Sequence, residues 1–267
     1  MYKRSLVIAL AGLIFTAGSF AAPPPPPAPP QSPKFNPGQT KEIENIVHDY
    51  LVKHPQVVVE VFQILQDQQQ AQSQQRAQSA IQVNSKQIFE TVTSPVVGNP
   101  QGKVNIVEFL DYQCGHCKKM QSTIDKLIQS NPELRVVIKE LPIFGGESEF
   151  AAKAALAAQK QGKFYPMHNA LLQVKEPLTQ DRILKIAAGI GLNTQQLQAD
   201  MNSEAVLQEL KGNVALEKAL ELVGTPVFIV GSNNKTPGAP VSKTYFVPGE
   251  VSNKLLQRLI GEVLAVK

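Results

Sequence analysis

The chain has 267 residues, a formal net charge of +4 and two cysteines. That length supports a full hydrophobic core with one accessory region, and the mild charge points to no particular partner; no nucleic acid is expected. Cysteines only two residues apart close almost no loop, which excludes stapling as their purpose, and two thiols alone fall short of a four-ligand zinc site.

Lys3 and Arg4 form a basic start, Leu6 to Phe15 an apolar run, and Ser19-Phe20-Ala21 a small-residue cleavage pattern. Residues 1–21 are expected to be a secretory signal peptide cut after Ala21. The apolar run falls short of the ~20 residues that span a bilayer, and no cysteine is present there for a lipid anchor. The mature protein is therefore expected in an oxidising compartment, the periplasm. Residues 22–39 hold nine of the twenty prolines, which favours an extended spacer that buries nothing.

Helical periodicity starts at Thr40, expected as an N-cap, with Ile43, Ile46, Val47, Tyr50 and Leu51 on one face. Lys53-His54-Pro55 should end that helix, and Pro55 suits the first position of a second, carrying Val58, Val61, Phe62 and Leu65. Nine glutamines in residues 66–82 leave few apolar anchors, so this stretch reads as a solvated helical arm. Residues 40–93 are taken together as a helical module and linker. Two short helices with nothing of their own to pack on predict self-association through residues 40–65, most simply as a homodimer; packing on the rest of the chain is the competing reading.

Loop residues Pro95, Gly98, Pro100 and Gly102 mark a boundary, and residues 94–267 are read as the main domain. Val104 to Leu110 is a buried-strand pattern interrupted by Glu108. Cys114-Gly115-His116-Cys117 follows, then a helix with Met120, Ile124, Leu127 and Ile128, then a strand from Leu134 to Ile143. Residues 147–222 read as a helical insertion. Strands are expected at Pro226 to Val230 and Thr244 to Val247, and a closing helix at Val251 to Val266.

A cycling dithiol needs an exposed thiolate to attack and a nearby thiol to resolve the mixed disulfide. Cys114 at a helix N-terminus is expected to be the nucleophile, its thiolate favoured by the free N–H groups and by His116, and Cys117 the buried resolving thiol. Gly115 leaves room for a substrate chain. Lys118 and Lys119 either add positive potential or form a solvated face. His168 reads as a packing residue, and His48 and His54 as surface residues.

Val107-Glu108-Phe109, the Cys-Gly-His-Cys sequence, the insertion and Gly224-Thr225-Pro226 before a strand together resemble the DsbA family of thioredoxin-fold proteins. That resemblance covers residues 86–267 and implies an α/β thioredoxin fold with a helical insertion. It implies that Pro226 is a cis-proline facing the cysteines, that Thr225 presents backbone groups to an extended substrate, and that Glu108 is a buried acid handling a proton for Cys117. The segment Ile43 to Gln66 resembles the dimerisation region of oligomeric members. Substrates would be exported proteins with cysteines, a membrane redox partner would reset the pair, and no cofactor or resident metal is expected. Oxidase, isomerase, dedicated reductase and Cu(I) chaperone remain open on sequence.

Overall fold

The computed structural model describes residues 35–90, 93–233 and 243–265. The expected signal peptide, residues 1–21, and residues 22–34 of the spacer lie outside the described residues. The described chain forms two compact units, one ending at Glu60 and the other starting at Val61.

The first unit holds α1 (Pro37–Lys53) and the start of α2 (Pro55–Val83). Helix α1 starts at Pro37 because Asn36, and not Thr40, caps it: the Asn36 side chain accepts from the Gln39 N–H at 2.9 Å, and Gln39 Oε1 accepts from the Asn36 N–H at 3.0 Å. That reciprocal pair, with Pro37 preset at the first helical position, removes residues 37–39 from the expected spacer. His54 ends α1, its N–H bonded to the Tyr50 carbonyl, and Pro55 begins α2. No residue of α1 is buried; Ile43, Ile46, Val47 and Tyr50 are all exposed.

In the second unit a five-stranded sheet has the order β1-β3-β2-β4-β5, built from β1 (Val96–Gly98), β2 (Val104–Leu110), β3 (Leu134–Glu140), β4 (Val227–Ser232) and β5 (Tyr245–Pro248). Strands β2 and β3 are parallel and the other pairs antiparallel. Helix α4 (Gly115–Ser130) makes the crossover between the parallel pair. The short α3 (Ser85–Phe89) precedes β1, and α5 (Gly146–Ala158), α6 (Phe164–Gln173), α7 (Gln180–Gly189), α8 (Thr194–Met201) and α9 (Glu204–Ala219) form the insertion between β3 and β4. Helix α10 (Asn253–Leu264) closes the chain. No helix among the described residues is long and apolar enough to cross a membrane.

Period-two alternation sorts the side chains of the sheet onto two faces. Val104, Ile106 and Leu110 of β2, Val136 and Ile138 of β3, and Phe228 and Val230 of β4 pack with α4, α10 and α5 to α8. Val107, Phe109, Val137, Val227 and Ile229 pack on the opposite face with Ile81, Ile88, Phe89 and Leu216. The core of the domain therefore includes residues ahead of 94, where the sequence boundary was drawn: the Gln-rich arm supplies Ala77 and Ile81 as buried anchors one turn apart. Strand β1 falls in the stretch read as loop. Gly98 has φ +78°, and a Cβ there would meet the Leu134 carbonyl at 2.7 Å, so a residue typical of turns ends this edge strand.

Ile81→Ala should cost about 2–5 kcal/mol by leaving a cavity, while Val83→Ala, at an exposed position, should change stability by less than about 0.5 kcal/mol. Urea denaturation measures both; an unchanged midpoint for Ile81→Ala would mean that the Gln-rich arm contributes nothing to the domain core.

Candidate active site

Strand β2 ends at Leu110, and residues 111–113 turn the chain into α4. Cys114 is the N-cap of α4, with φ −70° and ψ 117°; its N–H donates to the Asp111 carbonyl at 3.0 Å and its own carbonyl accepts the first helical bond, from Lys118 at 3.1 Å. Its sulfur thus sits where the helix leaves N–H groups unpaired and a partial positive charge accumulates. Cys114 is 5% exposed and Cys117, one turn into the helix, is 0% exposed. Both are free thiols. A side chain at Gly115 would project into open space.

The loop before β4 faces the pair. The Thr225–Pro226 peptide bond is cis, and the Cys114 thiol donates to the Thr225 carbonyl at 3.2 Å. Glu108 sits in the middle of β2 on the face that carries α4, 2% exposed. Burial, reinforced by the charge of Asp125, pushes its carboxyl up to about 8. Burial also pushes the Cys117 thiol far up. The charges of Glu108 and Cys114 add to that, while a backbone hydrogen bond from Asp111 and the Thr225 side chain oppose it. The structure therefore brings all six residues singled out in the sequence to one place: Glu108, Cys114, His116, Cys117, Thr225 and Pro226.

Several neighbours escaped sequence reasoning. Asp111, 1% exposed, accepts through Oδ1 from the Gln113 N–H and the Ser148 hydroxyl, each at 2.7 Å, and through Oδ2 from the Phe144 N–H at 3.2 Å. It ties the cysteine loop to the start of α5. Tyr112, Glu140 and His168 are all buried; the Tyr112 hydroxyl donates to Glu140 Oε1 at 2.7 Å and lies 3.0 Å from His168 Nδ1. Burial pulls the His168 imidazole down to about 3 and pushes the Glu140 carboxyl well up, so His168 is neutral near neutral pH. His168 is the hydrogen-bonded packing residue expected. Lys118 and Lys119 separate in role: Lys118 Nζ donates to the Val174 carbonyl at 2.7 Å, and its ammonium feels both Asp111 and Cys114, whereas Lys119 Nζ reaches Glu250 at 3.3 Å. The short polar run after an apolar strand was a signal for Asp111; nothing local announces Glu140 or Glu250.

Comparison with known proteins decides the family. Residues 105–260 match the DSBA-like thioredoxin domain, and residues 39–72 match the N-terminal domain of the copper resistance protein ScsC. The chain belongs to the DSBA-like thioredoxin domain family. It is 36% identical to a thioredoxin-like oxidoreductase from Silicibacter pomeroyi DSS-3, over 69% of this chain and 99% of that one, with a TM-score of 0.62. Against BcfH of Salmonella enterica Typhimurium the identity is 29%, over 85% and 96% of the two chains, with a TM-score of 0.71. It is also 24% identical to the thiol:disulfide interchange protein DsbA of Pseudomonas aeruginosa, over 53% of this chain and 70% of that protein. The Na(+)/H(+) antiporter NhaA of Herminiimonas arsenicoxydans is 28% identical over 148 residues, and the chain spans only 24% of that protein's length. The thioredoxin fold of the DSBA-like domain is the one the sequence implied.

Glu108 carries a testable pH signature. Its carboxyl is raised in the folded state, from 4.5 to about 8, so the stability it contributes is complete below pH ~4.5 and is lost as pH rises through ~8. Glu108→Gln removes that loss. Relative to the wild type, the reduced variant should gain about 2–5 kcal/mol between pH 5 and pH 8.5, read from urea denaturation; a pH-independent difference would mean that Glu108 is already ionised at pH 5.

Proposed function

We propose that this protein exchanges disulfides in exported proteins in the periplasm, forming and isomerising them through Cys114 and Cys117. The observation that carries this reading is the Cys114 thiol at the N-terminus of α4, bonded to the Thr225 carbonyl, one helical turn from a thiol whose anion burial forbids.

In oxidation, a substrate thiolate attacks Cys114 Sγ of the Cys114–Cys117 disulfide. That bond breaks, a mixed disulfide forms on Cys114, and Cys117 departs. Its buried sulfur needs a proton, and Glu108, titrating at about 8, holds one near neutral pH. A second substrate thiolate then attacks the substrate sulfur of the mixed disulfide and releases Cys114 as the thiolate, leaving two electrons on the pair. Isomerisation starts from the dithiol: Cys114 attacks a wrong disulfide, another substrate thiol displaces it, and no net electrons pass. Thr225 and Pro226 border the path an extended substrate takes to Cys114, and Val223, fully exposed just ahead of them, offers an apolar contact suited to unfolded chains. A membrane redox partner restores the oxidised pair.

Residues 40–65 join two copies in this reading. The apolar faces of α1 and the start of α2 are uncovered, with Ile46, Val47, Val58 and Val59 exposed, and the match to the ScsC N-terminal domain spans this segment. That match contains no cysteine, so a copper-carrying role would rest on the two active-site thiols alone.

Refolding of reduced and of scrambled ribonuclease tests both parts. The full chain should restore activity from each, Cys114→Ser should do neither, and a chain beginning at residue 67, which keeps Ala77 and Ile81, should sediment as a monomer and act on reduced ribonuclease only. A Cys114→Ser protein as active as wild type contradicts the enzymatic reading; a shortened chain of unchanged oligomeric state, or one that still rescues scrambled ribonuclease, contradicts the pairing.

A further inference from the structure

Glu250 belongs to no motif, yet it spans the two halves of the site. It follows β5, next to Gly249, whose N–H donates to the Pro226 carbonyl at 2.8 Å, while Pro248 pairs with Val227 in the sheet. Its backbone is thereby tied to the loop that presents Thr225 and Pro226. Its side chain reaches the first turn of α4, where Oε2 takes His116 Nδ1 at 2.8 Å and Lys119 Nζ at 3.3 Å. His116 and Lys119 are three residues apart and share one helical face, so a single carboxylate bridges both.

The bridge has an orienting and an electrostatic consequence. His116 Nδ1 is engaged by Glu250, which aims the imidazole at the β5–α10 turn instead of at Cys114. The carboxylate also cancels positive charge that would otherwise add to the helix N-terminus and to Lys118 in favouring the Cys114 thiolate. Glu250 itself is held below the usual carboxylate range by His116 and Lys119, so the charge is present throughout the neutral range.

We propose that Glu250 is a positioning residue that moderates the oxidising strength of the Cys114–Cys117 pair by holding His116 and neutralising Lys119. This rests on the pair cycling between dithiol and disulfide. Loss of the carboxylate removes one negative charge and frees the positive charge of Lys119, so the potential at Cys114 rises. A more stable thiolate stabilises the reduced form and makes the disulfide a stronger oxidant.

Equilibration of the full-length protein with reduced and oxidised glutathione, with the dithiol fraction read by thiol alkylation and mass, tests this without any protein substrate. For an exposed charge at the first turn of α4 in a largely aqueous dielectric, Glu250→Gln should shift the equilibrium toward the dithiol by about threefold. The Cys114 thiolate fraction at fixed pH should rise by a similar factor. Glu250→Asp should stay near wild type. The double variant Glu250→Gln/Lys119→Gln should return toward wild type, which a merely structural role of Glu250 does not predict, and the single-variant shift should shrink in 1 M salt. A Glu250→Gln equilibrium equal to wild type, a shift toward the disulfide, or a double variant that fails to return overturns the proposal while leaving the exchange reaction standing. Failure of any variant to form a Cys114–Cys117 disulfide overturns the exchange reading itself, and the Glu250 proposal with it.

Discussion

The site depends on one constraint: Cys117 is fully buried where its anion is disfavoured, and in the proposed exchange its sulfur has to depart. A buried thiolate without compensation is costly, so the surrounding chain has to supply a proton at the moment the sulfur departs. Glu108 lies on the same face of β2 as α4 and feels the Cys117 charge directly. The burial that disfavours the thiolate is also what keeps this acid protonated to about pH 8. In the proposed reaction one apolar environment thus sets both the demand for a proton and the group that meets it.

The asymmetry between the two cysteines follows from helix geometry. As the N-cap, Cys114 lies outside the first turn and is turned toward the Thr225 carbonyl, whereas Cys117, inside the turn, is rotated onto the sheet. Asp111 and the Tyr112–Glu140–His168 network hold the chain just ahead of Cys114 against α5, β3 and α6. These contacts fix the direction of the helix entry.

Much of this was legible in the sequence wherever the signal was local. The apolar run of β2, the cysteine spacing and the periodicity of α5 to α9 each lie within one element, and the resemblance carried Glu108 and Thr225-Pro226. Features made by distant partners were not legible. Glu250 meets His116 across 134 residues of chain, and Glu140 reads as the last residue of an ordinary strand until Tyr112 is folded onto it. The start of the domain was hidden for a different reason: two small anchors, Ala77 and Ile81, in a glutamine-rich helix do not register as a core face. Strand β1 is three residues long and ends in a glycine of positive φ, so turn chemistry masked it.

The central claim is the unequal character of the two thiols, and pH-dependent alkylation of the fully reduced protein tests it most directly. Iodoacetamide followed by peptide mass mapping should modify Cys114 across the neutral range and leave Cys117 unmodified until the protein unfolds. Modification of Cys117 at a rate equal to or above that of Cys114 in the folded protein would contradict the account.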